Sequence, residues 1–246
     1  MWTTPPLGPG PDETCDSICG VRVLQRAQGY RVSLDPILLA QFAARKRPKG
    51  AVIDLGAGSG VISLLLAARF RWKSVTALEL QPSLYELATR NVRLNHLEGD
   101  VHVVLGDLRD VRLSFPGGAF AHAVCNPPFG ARESGWTNPE AERAIARHEL
   151  TCDVGDVVAA AAYLLASRGK LFVVHPASRL ASLIQTLRQH RLEPRRLRLV
   201  YPRARSSAHR VLVEAVKEAR EGLELLPPLV VHRDDGHFTD ELRTML

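Results

Sequence analysis

Short hydrophobic runs alternate with longer segments of helical spacing along most of the chain. Five runs rich in β-branched residues have the length of strands, and in the segments before, between and after them apolar residues recur every three or four positions. The strand-like runs are residues 51–55, 75–80, 100–105, 121–125 and 170–175. The helical segments are residues 35–44, 59–69, 82–94, 153–166 and 177–190. This alternation predicts an α/β fold with a doubly wound, mostly parallel sheet.

The pattern changes towards the C-terminus. Two strand-like runs, residues 197–201 and 210–216, are joined by a polar loop, which predicts an antiparallel hairpin at one side of the sheet. Residues 1–16 are rich in Pro, Gly and acidic side chains and are expected to form a flexible leader. We therefore expect one domain over residues 17–221, including an N-terminal cap segment, followed by an extension of residues 222–246 that packs on it.

Composition narrows the class of protein. With 46% hydrophobic and 24% charged residues, the chain is typical of globular proteins and unlike disordered or fibrous ones. Its longest apolar run, residues 157–166, is too short to span a membrane, and no secretory signal is recognisable, so we expect a cytoplasmic protein with no membrane partner. The four cysteines have no CxxC spacing and the histidines are scattered, so no metal site is predicted.

Positive charge is concentrated in one part of the chain. The net charge is +6, yet residues 179–210 contain nine arginines and a single acid, Glu193, which leaves the rest near neutral. The guanidinium groups of arginine bind phosphates with two hydrogen bonds, so this segment is a candidate surface for a polyanion such as RNA. An ordinary solvated charged face is the alternative interpretation.

A glycine-rich motif directly follows the first strong strand. Asp54 is followed by Gly56, Gly58 and Gly60, and an apolar helix begins at once. Glycines at alternate positions let the backbone turn tightly and let a ligand approach without an intervening Cβ. A dinucleotide-binding fingerprint has the spacing GxGxxG, so GxGxG argues against a nicotinamide dehydrogenase.

Two acids follow the next two strands. Glu79 ends the second strand, where doubly wound folds hydrogen-bond a ribose, and Asp107 follows the third, where it could accept from an exocyclic amine. Taken one at a time, the glycines could form a purely structural turn, and the two acids could be ordinary solvated strand ends. The joint pattern favours a nucleoside-binding site.

The set resembles the S-adenosylmethionine site of class I methyltransferases. The resemblance implies that Asp54 and the glycines cradle the methionine part of the cofactor, that Glu79 binds the ribose hydroxyls, and that Asp107 with the Leu108 amide binds the adenine.

The fourth strand runs into Asn126-Pro127-Pro128-Phe129, which places this tetrapeptide at the carboxyl edge of the sheet beside the glycines. The Asn126 side-chain oxygen and the Pro127 carbonyl can accept hydrogen bonds from a planar NH2 group and aim its lone pair. Pro128 adds rigidity, and Phe129 offers a ring on which a base can stack. The alternative interpretation is structural: the two prolines merely end the strand, and Phe129 packs in the core.

Asn-Pro-Pro-Phe resembles the motif of amino-group methyltransferases acting on RNA or DNA bases and on protein glutamine. With its surroundings, the chain resembles the tRNA1(Val) (adenine-N6)-methyltransferase family over nearly its whole length after the leader. The additional matching segments are Gln28-Gly-Tyr-Arg-Val-Ser-Leu-Asp35, Arg147-His-Glu149, Thr151-Cys-Asp153, His175-Pro176, Tyr201-Pro202, Val213-Glu214-Ala215 and Pro227-Pro228-Leu229.

The resemblance implies a class I methyltransferase domain that uses S-adenosylmethionine to methylate N6 of an adenine in tRNA. Five arginines of the C-terminal hairpin strand and its loop are the candidate RNA contacts, expected near the carboxyl edge: Arg195, Arg196, Arg198, Arg203 and Arg205. Three alternatives stay open at this point: a protein glutamine N5-methyltransferase, an rRNA guanine-N2 methyltransferase and a cofactor-binding RNA scaffold without catalysis.

Overall fold

The computed structural model of the chain describes residues 8–28, 31–44, 49–127 and 153–246. The strands in these residues are β1 (Glu13–Ile18), β2 (Val21–Arg26), β3 (Val52–Leu55), β4 (Val75–Glu79), β5 (Val101–Leu105), β6 (Phe120–Cys125), β7 (Leu165–Pro176), β8 (Leu192–Arg203), β9 (Arg210–Lys217), β10 (Glu224–Leu225) and β11 (Leu229–His232). The α-helices are α1 (Leu34–Ala43), α2 (Val61–Ala68), α3 (Pro82–Leu94), α4 (Val111–Ser114), α5 (Val154–Leu164), α6 (Leu180–Gln189) and α7 (Asp240–Met245).

Nine of these strands form one sheet in the order β10, β8, β9, β7, β6, β3, β4, β5, with β11 also paired to β8. The five strands from β3 to β7 run parallel to one another, whereas β9 is antiparallel to both β7 and β8. The predicted α/β class, with a mostly parallel sheet and an antiparallel hairpin, is confirmed.

The chain leaves β3 towards β4 and β5 on one side and then crosses to β6 on the other. Such a reversal opens a crevice at the carboxyl ends of the two central strands. Here those ends are the residues after Leu55 and after Cys125, which brings the glycine motif and Asn126 to the same crevice.

Helices cover both faces of the sheet. Successive residues of a strand point to opposite faces, and on β6 Val124 belongs to the core formed with α1 and α2, whereas Cys125 belongs to the core formed with α5 and α6. Helix α5 begins at a capping box in which Asp153 and Asp156 each accept from the other's backbone N–H.

Several boundaries differ from those that the sequence predicts. Residues 13–16, assigned to the leader, are the first part of β1, which pairs with β2 in a separate two-stranded sheet. Strand β7 begins at Leu165, so α5 ends earlier than predicted, and β8 extends beyond residues 197–201 at both ends. A register shift between Pro194 and Arg196 accommodates the proline within β8.

Candidate active site

The three glycines after β3 all have left-handed backbone conformations. Their φ angles are +72° at Gly56, +59° at Gly58 and +84° at Gly60, values that side chains other than glycine rarely adopt. A Cβ placed on Gly56 or Gly58 would meet no atom within 4 Å, so open space lies beside this part of the loop. The residues therefore form a turn whose backbone a ligand can approach closely.

Asp54 lies directly beneath this turn. Its side chain is completely buried, and Oδ2 accepts a hydrogen bond of 2.8 Å from the hydroxyl of Ser63 on α2. Oδ1 is also buried and has no hydrogen-bond partner within the described part of the chain. Burial raises the pKa of the Asp54 carboxyl to about 7, and the nearby Glu79 charge adds to the increase.

Glu79 lies against the glycine turn, as expected for a residue at the carboxyl end of the strand next to β3. The carboxylate is 5% exposed and accepts from the backbone N–H of Gly58 at 2.8 Å and of Gln81 at 2.9 Å. Each carboxylate oxygen has two acceptor sites, so both can still accept from a ligand hydroxyl.

Asp107 and Leu108 follow β5 at the same edge of the sheet. The Asp107 carboxylate accepts from the backbone N–H of Arg109 at 2.9 Å and from its guanidinium, and this hydrogen bonding lowers the pKa of the carboxyl. Leu108, half-buried, begins the short 3-10 helix Leu108–Asp110. A ligand amine that binds Asp107 must therefore share the carboxylate with Arg109.

Asn126 directly follows β6 on the other side of β3. Its Oδ1 is buried and has no hydrogen-bond partner within the residues that the structure describes, while Pro127 beside it is buried. The Cys125 thiol donates to the Leu55 carbonyl at 3.0 Å and so ties the end of β6 to the end of β3. Pro128 and Phe129 lie outside the described residues, as do Gly29, Tyr30 and the segments 147–149 and 151–152.

Two unsatisfied buried acceptors thus lie at the two strand ends that flank the crevice. Buried polar atoms without a partner are uncommon, because each costs about 1–3 kcal/mol, and they often mark a place where a ligand or water donates. The arrangement combines an open glycine turn, a buried carboxylate and an unpaired side-chain carbonyl. It can bind a polar ligand at the turn and orient a hydrogen-bond donor at Asn126.

The arginine-rich segment divides into two groups. Arg195, Arg196 and Arg198 are bound to other groups of the protein, whereas Arg203 and Arg205 are exposed. Arg195 donates to the carbonyls of Arg220 and Glu221, and Arg198 donates to the Pro227 carbonyl and pairs with Glu241. These side chains hold the C-terminal extension against β8.

Arg196 belongs to an ion-pair cluster in the sheet that is centred on a buried carboxylate. It pairs with Glu214 of β9, which is 3% exposed and also accepts from Lys170 of β7 at 2.6 Å, and its guanidinium lies 4.8 Å from the centre of the Phe42 ring. These contacts stabilise the packing of three strands.

Arg203 and Arg205 are exposed and lie where β8 ends and the loop to β9 begins. Because Arg210 at the start of β9 pairs in register with Pro176 at the end of β7, this loop is at the carboxyl edge of the sheet. Arg210 itself forms an ion pair of 2.9 Å with Asp35 of α1.

Comparison with known proteins assigns the chain to a family. The family model described as methyltransferase small domain matches residues 35–191, which is more than half of the chain and includes the glycine turn, Glu79 and Asn126. The chain belongs to the methyltransferase small domain family.

Relatives of this methyltransferase carry a more specific name. A protein of Porphyromonas gingivalis named tRNA1(Val) (adenine(37)-N6)-methyltransferase is 30% identical over 88% of this chain and 87% of its own length. A protein of the same name from Photobacterium profundum is 28% identical over 86% of this chain and 87% of its own length.

Solved structures share the fold of this methyltransferase. A predicted O-methyltransferase from Agrobacterium tumefaciens has a TM-score of 0.68 at 24% identity, covering 86% of this chain and 94% of that one. The TYW2 protein of M. jannaschii in complex with AdoMet has a TM-score of 0.58 at 17% identity, covering 83% and 85%.

Ser63 is a site residue of the methyltransferase that the sequence analysis did not identify. In the sequence, Ser63 stands out as the one polar residue of the otherwise apolar helix α2, and the structure buries it completely.

Among the described residues, no group of three or more potential ligands could hold a metal ion. Nor does that part of the chain contain a helix long and apolar enough to cross a bilayer.

Proposed function

We propose that this methyltransferase transfers a methyl group from S-adenosylmethionine to the exocyclic N6 of an adenine in tRNA. The observation that carries the proposal is the buried, unpaired Asn126 oxygen at the carboxyl end of β6, across the crevice from the glycine turn. The names of the similar proteins from Porphyromonas gingivalis and Photobacterium profundum support the choice of adenine and tRNA. A tRNA substrate also supports a cytoplasmic location.

The residues of the crevice fit the proposed cofactor. The glycine turn leaves room for the methionine part against backbone atoms, and Glu79 retains acceptor sites for two ribose hydroxyls. Asp107 and the Leu108 amide would bind the adenine ring. Bound there, S-adenosylmethionine supplies an activated methyl group.

Asp54 has a supporting role in this proposal. It lies beneath the turn and holds the start of α2 through Ser63. Its remaining oxygen, Oδ1, is available to the amine or an ordered water next to the methionine part.

Asn126 orients the acceptor amine. Its Oδ1 and the Pro127 carbonyl would each accept one N–H of the adenine amino group, which turns the nitrogen lone pair towards the methyl group. An amine conjugated with an aromatic ring is a weak nucleophile, so most of the rate enhancement comes from holding it in line, a contribution of about 7–11 kcal/mol in well-oriented systems. The proton is lost to water after transfer. The Phe129 ring is proposed to stack on the base.

The test is a methyl-transfer assay with labelled S-adenosylmethionine and unmodified total tRNA, followed by digestion and mass analysis of the nucleosides. We expect N6-methyladenosine from the wild type and a loss of about 100-fold or more in turnover for Asn126→Ala, because one preorganised acceptor is removed. Asn95→Ala, at the C-cap of α3 and outside the crevice, serves as the control and should retain activity.

The other outcomes discriminate among the alternatives. Methylguanosine would contradict the choice of base. Absence of label in RNA from a protein that binds S-adenosylhomocysteine would contradict the choice of tRNA and favour a protein glutamine. Full activity of Asn126→Ala would contradict the proposed role of Asn126.

A further inference from the structure

Asn91 is a completely buried polar residue on α3 that contacts the glycine turn. Its Oδ1 accepts from the backbone N–H of Leu24 at 2.7 Å. Its Nδ2 donates to the Leu24 carbonyl at 3.0 Å and to the Ser59 carbonyl at 2.9 Å. One side-chain amide therefore joins three segments: β2, α3 and the glycine turn.

The contact to Ser59 fixes a specific peptide group. Ser59 lies between Gly58 and Gly60, and the N–H of the same Ser59–Gly60 peptide unit donates to the Ala57 carbonyl at 2.9 Å. Helix α3 also approaches the turn closely, because a Cβ on Gly60 would lie 3.4 Å from the Cβ of Ala88. Asn91 thus holds the last peptide of the turn from outside the crevice.

Asn95, one helical turn later, provides an internal comparison. Its Oδ1 accepts from the Arg22 N–H at 2.8 Å and its Nδ2 donates to the Arg22 carbonyl at 2.7 Å. These bonds reproduce the pairing of Asn91 with Leu24 two residues along β2. The remaining Nδ2 hydrogen bond of Asn95, the C-cap residue of α3, goes to the Asn91 carbonyl, so Asn95 has the same bonds to β2 without the bond to the turn.

We infer that Asn91 is a positioning residue that couples the β1–β2 hairpin to the cofactor-binding turn. This inference rests on the proposed binding of S-adenosylmethionine at that turn. A ligand that selects the turn conformation seen here strengthens the Asn91–Ser59 hydrogen bond and, through the same amide, the attachment of β2 at Leu24. Coupling between sites is reciprocal, so loosening β2 at Leu24 weakens cofactor binding by the same factor.

The first test compares Asn91→Ala with Asn95→Ala. Both variants lose the two bonds to β2, so both should have lower melting temperatures than the wild type. Only Asn91→Ala loses the bond to Ser59, and calorimetry should show its Kd for S-adenosylhomocysteine raised by about tenfold, the effect of leaving a buried carbonyl unsatisfied. In the tRNA assay its KM for S-adenosylmethionine should rise while its kcat stays near that of the wild type.

The second test uses the wild-type protein and needs no variant to fold. Hydrogen exchange is measured for the Leu24 and Arg22 amides, which donate to Asn91 and Asn95, with and without S-adenosylhomocysteine. The ligand should slow exchange at Leu24 more than at Arg22, because only Asn91 also contacts the turn.

The failures can be told apart. A wild type that does not bind S-adenosylhomocysteine overturns the proposed function on which the inference rests. A wild type that binds, with equal Kd values for the two variants, overturns the coupling through Asn91. Equal protection of Leu24 and Arg22 in the exchange experiment overturns it as well.

Discussion

Asp54 is an acid enclosed by the protein, and its ionisation affects the stability of the fold. Its carboxyl has a pKa of about 7 in the folded chain because burial disfavours the charge, whereas the ordinary value is 3.8. Between these values the folded state binds more protons than the unfolded state, so the contribution of Asp54 to the free energy of unfolding falls as the pH rises from about 4 to about 7.

We expect Asp54→Asn to remove this dependence. The stability of the wild type minus that of the variant should fall by up to about 1.4 kcal/mol per pH unit between pH 4 and 7 and be constant above. His175, whose pKa is lowered to about 4 mainly by burial, makes both proteins less stable as the pH falls below 6.5, so it cancels in the difference. Urea unfolding at several pH values measures the difference. If the free energies of unfolding of the wild type and the variant change with pH in the same way, the role assigned to Asp54 is contradicted.

Residues at strand ends could be placed from the sequence, but their partners could not. Parallel strands end at a common edge, so the positions of Glu79 and Asn126 followed once the strands were recognised. The bond from Ser63 to Asp54 depends on how α2 turns after the glycines. Likewise, the pairing of Asp107 with Arg109 is one of several rotamers that the sequence allows.

Elements were predictable where hydrophobic periodicity was strong. The central strands and α3 followed from the pattern of apolar residues, whereas β1 was missed because its sequence, Glu-Thr-Cys-Asp-Ser-Ile, is mostly polar and is stabilised by pairing with β2. Strand β7 was predicted too short, because Ser167-Arg168-Gly169 is typical of a turn. Strand pairing is a property of two segments, which local composition does not reveal.

Strand β8 combines structural and surface arginines. Of the five candidates, Arg195, Arg196 and Arg198 are bound within the protein, so replacing them tests stability more than RNA contact. Arg203 and Arg205 are exposed at the carboxyl edge, on the same side of the sheet as Asn126. We therefore propose that the RNA contact lies in the loop between β8 and β9.

We expect Arg203→Glu with Arg205→Glu to weaken tRNA binding and leave the affinity for S-adenosylhomocysteine unchanged. If each arginine neutralises a phosphate, the slope of log K against log salt should decrease in magnitude by about two. Filter binding over a range of salt concentrations measures the slope. Arg71→Glu with Arg168→Glu is a control of equal charge change. Both residues are exposed at the opposite edge of the sheet, since Arg71 precedes β4 and Arg168 lies near the start of β7. Equal weakening by the two double variants would contradict a localised contact.

On the scale of the whole molecule, the C-terminal extension is part of the main core. Leu229 and Val231 of β11 and Leu242 of α7 are buried in the cluster that contains α1 and α2. The Met245 carbonyl accepts from Arg69 at 2.7 Å, which anchors the end of α7 to the residue after α2. The extension should therefore unfold together with the sheet.

Leu242→Ala should lower the free energy of unfolding by about 2–5 kcal/mol, the usual cost of a cavity at a fully buried leucine. Because the core is shared, urea unfolding should remain a single transition at a lower midpoint. Leu113→Ala removes the same atoms from a side chain that is 87% exposed and should change the midpoint little. A separate early transition in Leu242→Ala would show that the extension unfolds independently.

The cluster of Lys170, Arg196 and Glu214 constrains how this sequence can diverge. Loss of Arg196 leaves the buried Glu214 charge undercompensated, and loss of Glu214 leaves two cations facing each other, so either substitution costs about 3–5 kcal/mol. Loss of Lys170 costs less, because its side chain is 39% exposed and solvent screens its charge. Replacement of all three by well-packed apolar residues is often neutral or stabilising. Changing Arg196 or Glu214 alone therefore passes through a less stable protein, and we expect the three positions to change together among relatives.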